Sequence, residues 1–114
     1  MTAKAFDPKT AKMNKTELRY AQHLEEKLRA GEIKRWDFEP VKLRLARNTT
    51  YTPDFRVVTT DDYIVYHEVK GFWRDDARVK IKIAAEQHDC YRFCAVTWNS
   101  KEKCWDREDF GWKD

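Results

Sequence analysis

The sequence predicts a single α/β domain with a mixed central sheet of about four to five strands flanked by two helices, in the order αβββαβ. Three observations support this prediction. An apolar helical stripe with clear end signals occupies residues 14–30, and two apolar runs around a short polar turn occupy residues 51–71. A second helical segment and then an aromatic, β-branched run follow, which favours a parallel crossover beside the preceding strand.

The composition limits the chain to one small domain. Its 114 residues are enough for one core but not for two. The net charge is only +3, but residues 1–50 hold 12 basic and 7 acidic side chains, a local excess that suits a polyanionic partner. Three cysteines without a Cys-x-x-Cys pair argue against a disulfide framework or zinc knuckle. The lack of a long apolar run predicts no membrane span and a cytoplasmic protein.

Residues 1–13 are polar, basic and without periodicity, so we expect a flexible N-terminal arm before a domain at residues 14–114. The first helix should begin after Asn14, a good N-cap, and run to Ala30, with Gly31 at the C′ position.

Glu17 lies on the apolar stripe of this helix, near its start, and two interpretations stay open. It is spaced to form a capping box with Asn14. Alternatively, its carboxylate leans from the helix toward an acidic patch on the sheet. One rotamer cannot fill both roles.

The segment Trp36 to Leu45 alternates between apolar and polar residues and predicts one strand, bent at Pro40. Residues 47–50, which include Arg47, are expected to form a polar loop.

The hairpin from Tyr51 to Gly71 contains the candidate catalytic and metal-binding residues. Side chains on a strand alternate between faces, so Glu68 and Lys70 point the same way and Val69 points into the opposite layer. Counting back across the turn pairs Asp54 with position 67 or 68. Clustered carboxylates repel each other unless a cation is present, so the patch is a candidate Mg²⁺ or Mn²⁺ site.

Pro53-Asp54 followed by Glu68-Val69-Lys70 resembles the signature of the PD-(D/E)XK nuclease superfamily. The wider context from Asn14 to Trp98 is similar to small phage and prophage proteins related to Holliday-junction resolvases. The resemblance implies a restriction-endonuclease-like core for residues 14–114 in a protein encoded by a phage or prophage. It also implies metal ligands at Asp54, Glu68 and the Val69 carbonyl. An acidic residue on the first helix, here Glu17, is a common further ligand in that superfamily.

Lys70 would then orient the attacking water or neutralise the charge that develops on the phosphate. The expected catalytic residues are therefore Glu17, Asp54, Glu68 and Lys70, with Mg²⁺ or Mn²⁺ as cofactor.

The segment after Gly71 is aromatic and basic, and the second helix, to about His88, carries further cations. We expect DNA contacts from Trp73, Arg74, Arg78, Lys82 and Arg47. This helix has two apolar sides, one of which could face a second subunit, as a two-fold resolvase dimer would require.

The sequence and the resemblance together predict a metal-dependent DNA endonuclease, selective for branched DNA. Two alternatives stay open. One is a catalytically idle DNA-binding or regulatory module on the same scaffold, and the other is a structural phage protein that carries the motif by chance. Metal-dependent cleavage of DNA separates the first interpretation from the other two.

Overall fold

The computed structural model of the protein describes residues 12–71 and 75–111, which form two helices and seven strands. In chain order these are α1 (Lys15–Arg29), β1 (Ile33–Phe38), β2 (Leu43–Ala46), β3 (Thr49–Tyr51), β4 (Phe55–Thr59), β5 (Ile64–Lys70), α2 (Asp75–Gln87), β6 (Arg92–Asn99) and β7 (Cys104–Phe110).

Five strands form a mixed central sheet in the order β1-β4-β5-β6-β7, and β2 pairs with β3 in a separate two-stranded sheet. Only β5 and β6 run parallel in the central sheet, and α2 connects them. The predicted α/β class, mixed sheet and parallel pair are therefore confirmed. The elements of the central sheet follow the expected αβββαβ order, with β7 added at the edge.

The signals at both ends of α1 act as expected. Asn14 is the N-cap, and Gly31 adopts a φ of 78° after the C-cap Ala30. The Gly31 amide donates to the Leu28 carbonyl and the Glu32 amide donates to the Lys27 carbonyl; these are the two hydrogen bonds of a Schellman motif. Because Gly31 can adopt a positive φ without strain, the chain turns here into β1.

The prediction of one bent strand from Trp36 to Leu45 is wrong. The chain leaves the central sheet at Glu39, which has a φ of 46°, and then forms β2 in the separate two-stranded sheet. Pro40 lies in the break because it has no amide to donate to a ladder. The Glu39 amide donates to the Asp54 carbonyl over 2.7 Å, which ties the end of β1 to the start of β4.

The expected polar loop at residues 47–50 is likewise a hairpin. Asn48 adopts a φ of 60° at its tip, and Thr49 already pairs with Ala46. Asparagine tolerates the left-handed conformation that such a turn demands, so the two strands close over two residues.

A hydrophobic core lies on each face of the central sheet. On one face α1 packs over Trp36, Phe55 and Val57. On the other, α2 and the β2–β3 hairpin pack over Tyr66 and Phe93. Met13 belongs to the first core, so the expected arm ends before it; residues 1–11 lie outside the described residues.

Only one of the two apolar sides predicted for α2 is buried. Ile81 and Ala84 are almost fully inaccessible, whereas Val79 and Ile83 are 52% and 38% exposed. None of the helices in residues 12–71 and 75–111 is long and apolar enough to span a membrane.

Candidate functional site

The two acids of the motif meet where β4 begins and β5 ends. Phe55 pairs with His67 across the antiparallel β4–β5 ladder, so Asp54, one residue earlier, lies beside Glu68. Oδ2 of Asp54 accepts a hydrogen bond from the Val69 amide over 2.9 Å. The predicted pairing of Asp54 with position 67 or 68 is therefore confirmed.

Both carboxylate oxygens of Glu68 have partners. The Tyr51 hydroxyl donates to Oε1 over 2.7 Å, and the Lys70 ammonium lies 3.0 Å from Oε2. Glu68 is only 8% exposed, so these contacts replace water as the partners of a buried charge. The ion pair confirms that Glu68 and Lys70 share one face of β5.

The electrostatics of the pair are dominated by burial and repulsion. Burial first, and then the negative charge of Glu68, raise the pKa of Asp54 to about 8; Glu17 adds to the increase. The Val69 amide and Lys70 act in the opposite direction without cancelling it. Near neutral pH the Asp54 carboxyl therefore tends to keep its proton, because two charged acids in one desolvated patch repel each other.

The Tyr51 hydroxyl is held in its neutral, donating form. Burial raises its pKa, and the Glu68 charge beside it raises it further. Because the phenol stays protonated and Glu68 is a carboxylate, the Tyr51 hydroxyl is the donor and Glu68 is the acceptor of this hydrogen bond.

Glu17 forms the capping box in this structure. Its Oε1 accepts from the Asn14 amide over 2.9 Å, and the Glu17 amide donates to Oδ1 of Asn14 over 2.8 Å. Its charge still contributes to the raised pKa of Asp54, so it acts on the same patch. The expected second role, as a ligand, would need the carboxylate to leave the cap.

The donor set suits a hard dication. Asp54 and Glu68 offer carboxylate oxygens, and Val69 between Glu68 and Lys70 offers a carbonyl oxygen. A cation between the acids would remove the repulsion that raises the pKa of Asp54. Within residues 12–71 and 75–111 no three His, Cys, Asp or Glu side chains are grouped to hold a metal.

Three of the five residues expected to contact DNA lie in the part of the chain that the structure describes. Trp73 and Arg74 lie outside the described residues. The Arg78 guanidinium forms an ion pair with Glu108 on β7, 2.5 Å from its Oε2. Lys82 is exposed one helical turn further along α2, and Arg47 is exposed at the β2–β3 turn, on a hairpin that packs against α2.

Sequence reasoning missed the role of Tyr51. The sequence places Tyr51 at the start of the motif hairpin, and the residue is buried. Its contact with Glu68 accompanies the pairing of β3 with β2, whereas residues 47–50 were interpreted as a loop. The Asn48 turn was the one sequence signal that could have revealed this hairpin.

Comparison with known proteins identifies one family. Residues 3–106 match the family described as "Protein of unknown function (DUF1064)", a range that includes Glu17, Tyr51, Asp54, Glu68 and Lys70. No curated protein and no solved structure matches the chain. Because the match extends over most of its length, the chain belongs to the DUF1064 family.

Proposed function

We propose that the protein is a Mg²⁺- or Mn²⁺-dependent DNA endonuclease of the PD-(D/E)XK type, with a restriction-endonuclease-like core. One observation carries the proposal: Asp54, Glu68 and Lys70 lie together at the end of β5, with the Glu68 carboxylate held by Tyr51 and Lys70. An acid with a raised pKa, such as Asp54, beside a second carboxylate and a lysine is typical of catalytic sites rather than of surface ion pairs.

Each residue then has a definite part in hydrolysis. Asp54, Glu68 and the Val69 carbonyl would hold the metal, which supplies positive charge to the phosphodiester and activates water. Tyr51 and Lys70 orient Glu68 from opposite oxygens. Lys70 also places an ammonium where negative charge develops on the phosphate, and it can orient the attacking water.

Branched DNA is the proposed substrate, on the basis of the resemblance to junction-resolving enzymes. Such an enzyme cuts two symmetric strands and so requires a two-fold dimer. The exposed Val79 and Ile83 on α2 support such an interface. Sedimentation of the wild type and of Ile83→Lys would test it, since only the wild type should form the dimer.

The decisive experiment measures cleavage of a labelled four-way junction and its matching linear duplex, with Mg²⁺, Mn²⁺ or EDTA. Glu68→Gln should lower the rate by at least about 10²-fold, because it removes a charge that no neighbour replaces. Glu102→Gln, on the exposed β6–β7 turn, is the matched control and should cut like the wild type.

The outcomes separate the proposals. Paired cuts in the junction alone, lost in Glu68→Gln, support the resolvase-like activity. Equal cutting of the duplex keeps the nuclease and rejects the junction selectivity. DNA binding without metal-dependent cutting favours the idle module.

A further inference from the structure

A second potential site lies on the opposite face of the central sheet. Because α1 packs more closely on β1 than on β5, it leaves part of this face uncovered, and a cavity of about 550 Å³ lies there. Its lining includes Tyr20, Lys27, His67, Arg92, Trp105 and Arg107. His67 and Glu68 are neighbours on β5 and point to opposite faces, so the sheet separates this cavity from the carboxylates.

Aromatic and neutral polar groups form the deep end of the cavity. The Tyr20 hydroxyl and Nδ1 of His67 are 2.5 Å apart and hydrogen-bonded. The Trp105 ring meets Tyr20 edge-to-face, with centroids 4.8 Å apart. The His67 side chain is buried, and its Nδ1 is engaged with the Tyr20 hydroxyl at this end of the cavity.

The charged groups among the described lining residues are mostly cations. Of the charged side chains that line the cavity, three are cations and one, Asp109, is an acid. Arg107 Nε lies 2.9 Å from Asp109, and Arg92 lies over the Tyr63 ring. Lys27 pairs with Glu32, which is outside the lining. An excess of one sign within a concave site attracts the opposite charge.

We infer that this cavity binds a small anion that carries a planar aromatic base, of the nucleoside monophosphate class. The volume lies within the usual range for small-molecule sites, which combine an apolar, aromatic wall with a few placed polar groups. Trp105 offers aromatic surface for a base, and Arg107 and Lys27 offer donors to a phosphate. The inference does not rest on the proposed nuclease activity, since the two sites share no residue.

The test is calorimetric titration of the full chain with deoxyadenosine 5′-monophosphate in EDTA, so that no metal takes part. Inorganic phosphate and deoxyadenosine, titrated separately, should each bind more weakly than the nucleotide. Arg107→Gln and Lys27→Gln should each weaken nucleotide binding about tenfold or more, the loss of one charge-assisted hydrogen bond. Arg35→Gln, an exposed residue of β1 outside the cavity, is the matched control and should bind like the wild type.

Thermal melts show whether each variant folds. If Arg107→Gln does not, Lys27→Gln decides, because Lys27 lies near the end of α1 with its side chain 39% exposed. An affinity weaker than about 1 mM for the nucleotide, or equal affinity in the wild type and both variants, overturns the inference. A 5′-phosphorylated oligonucleotide shows whether the natural ligand is a free nucleotide or the end of a nucleic-acid strand. Tighter binding of the oligonucleotide than of the free nucleotide indicates a strand end, and weaker binding indicates the free nucleotide.

Discussion

The Asp54 carboxyl is placed where charge is unfavourable without a cation. Burial and the neighbouring Glu68 raise its pKa to about 8 from an ordinary value of 3.8. The native state therefore binds this proton more tightly than the unfolded state, so this contribution to stability is full below about pH 4. It is lost as the pH rises through about 8.

Asp54→Asn should remove that pH dependence. The amide oxygen can still accept from the Val69 amide, but it carries no charge. In EDTA we expect the variant to be more stable than the wild type at pH 8 by several kcal/mol, and the difference to vanish near pH 4. Denaturant unfolding at both pH values measures this. The same difference at both values would contradict the assigned repulsion.

Metal binding should reverse the effect of the repulsion. Because proton and metal compete for Asp54, Mg²⁺ should raise the melting temperature of the wild type more at pH 8 than at pH 6. At 100 times the dissociation constant the gain is about 2.7 kcal/mol. Asp54→Asn should lose the gain, whereas the exposed control Glu102→Gln should keep it. An equal gain in Asp54→Asn would place the ion elsewhere.

Tyr51→Phe tests the one partner of Glu68 that the sequence did not reveal. It leaves Oε1 of a buried carboxylate without its donor, which should lower the free energy of unfolding by about 1–3 kcal/mol. The rate of Mg²⁺-dependent cleavage should also fall, because Glu68 is no longer oriented. Tyr63→Phe, at a side chain that is 48% exposed, is the control. Cleavage unchanged by Tyr51→Phe would limit the residue to packing.

Among the elements, those with strong local signals could be predicted and those defined by distant pairing could not. Asn14 and Gly31 mark α1 in the sequence because capping is local chemistry. The β4–β5 hairpin follows from two apolar runs and a turn. The division of residues 33–46 between two sheets depends on which strands pair, and alternation along one strand carries no information about its neighbour. The position of Tyr51 beside Glu68 depended on that same pairing.

Two substitutions at Glu17 can distinguish its role as a helix cap of α1 from its proposed role as a metal ligand. Glu17→Gln keeps an acceptor for the Asn14 amide and removes the charge, whereas Glu17→Ala removes both. If the carboxylate is only a cap, Ala should cost about 1 kcal/mol of stability and Gln almost nothing, with cleavage unchanged in both. If Glu17 is also a metal ligand, as proposed, Glu17→Gln should lower the cleavage rate without changing the free energy of unfolding. Melts and cleavage rates on the same samples distinguish these results.

At the scale of the whole molecule, two adjacent residues of β5 lie in different environments on opposite faces of the central sheet. His67 faces the α1 side and bonds to Tyr20, and Glu68 faces the other side and bonds to Tyr51. Both are buried, but one is neutral and the other belongs to a charged patch. A strand with alternating faces is the simplest structure that can hold such different side chains side by side.

His67 should make the protein sensitive to acid. Burial first, and then the charge of Arg107, lower its pKa to about 3 from 6.5, so the unfolded state gains a proton that the native state does not. This contribution to stability is full above about pH 6.5 and is lost as the pH falls toward 3, the opposite slope to that of Asp54. Relative to His67→Gln, which can still bond to Tyr20, the wild type should lose up to about 1.4 kcal/mol per pH unit between pH 6 and 4.

Denaturant unfolding at pH 4, 5, 6 and 7 measures the difference between the two proteins. His88→Gln, at a half-buried histidine that bonds to the Arg44 carbonyl, is the control for the substitution itself. Since Asp54 stabilises toward acid and His67 toward neutral pH, the wild-type curve should be flatter than the curve of either Asp54→Asn or His67→Gln. Parallel curves for wild type and His67→Gln would mean that the pKa of His67 is the same in the folded and unfolded states, which would contradict the effect assigned to its burial.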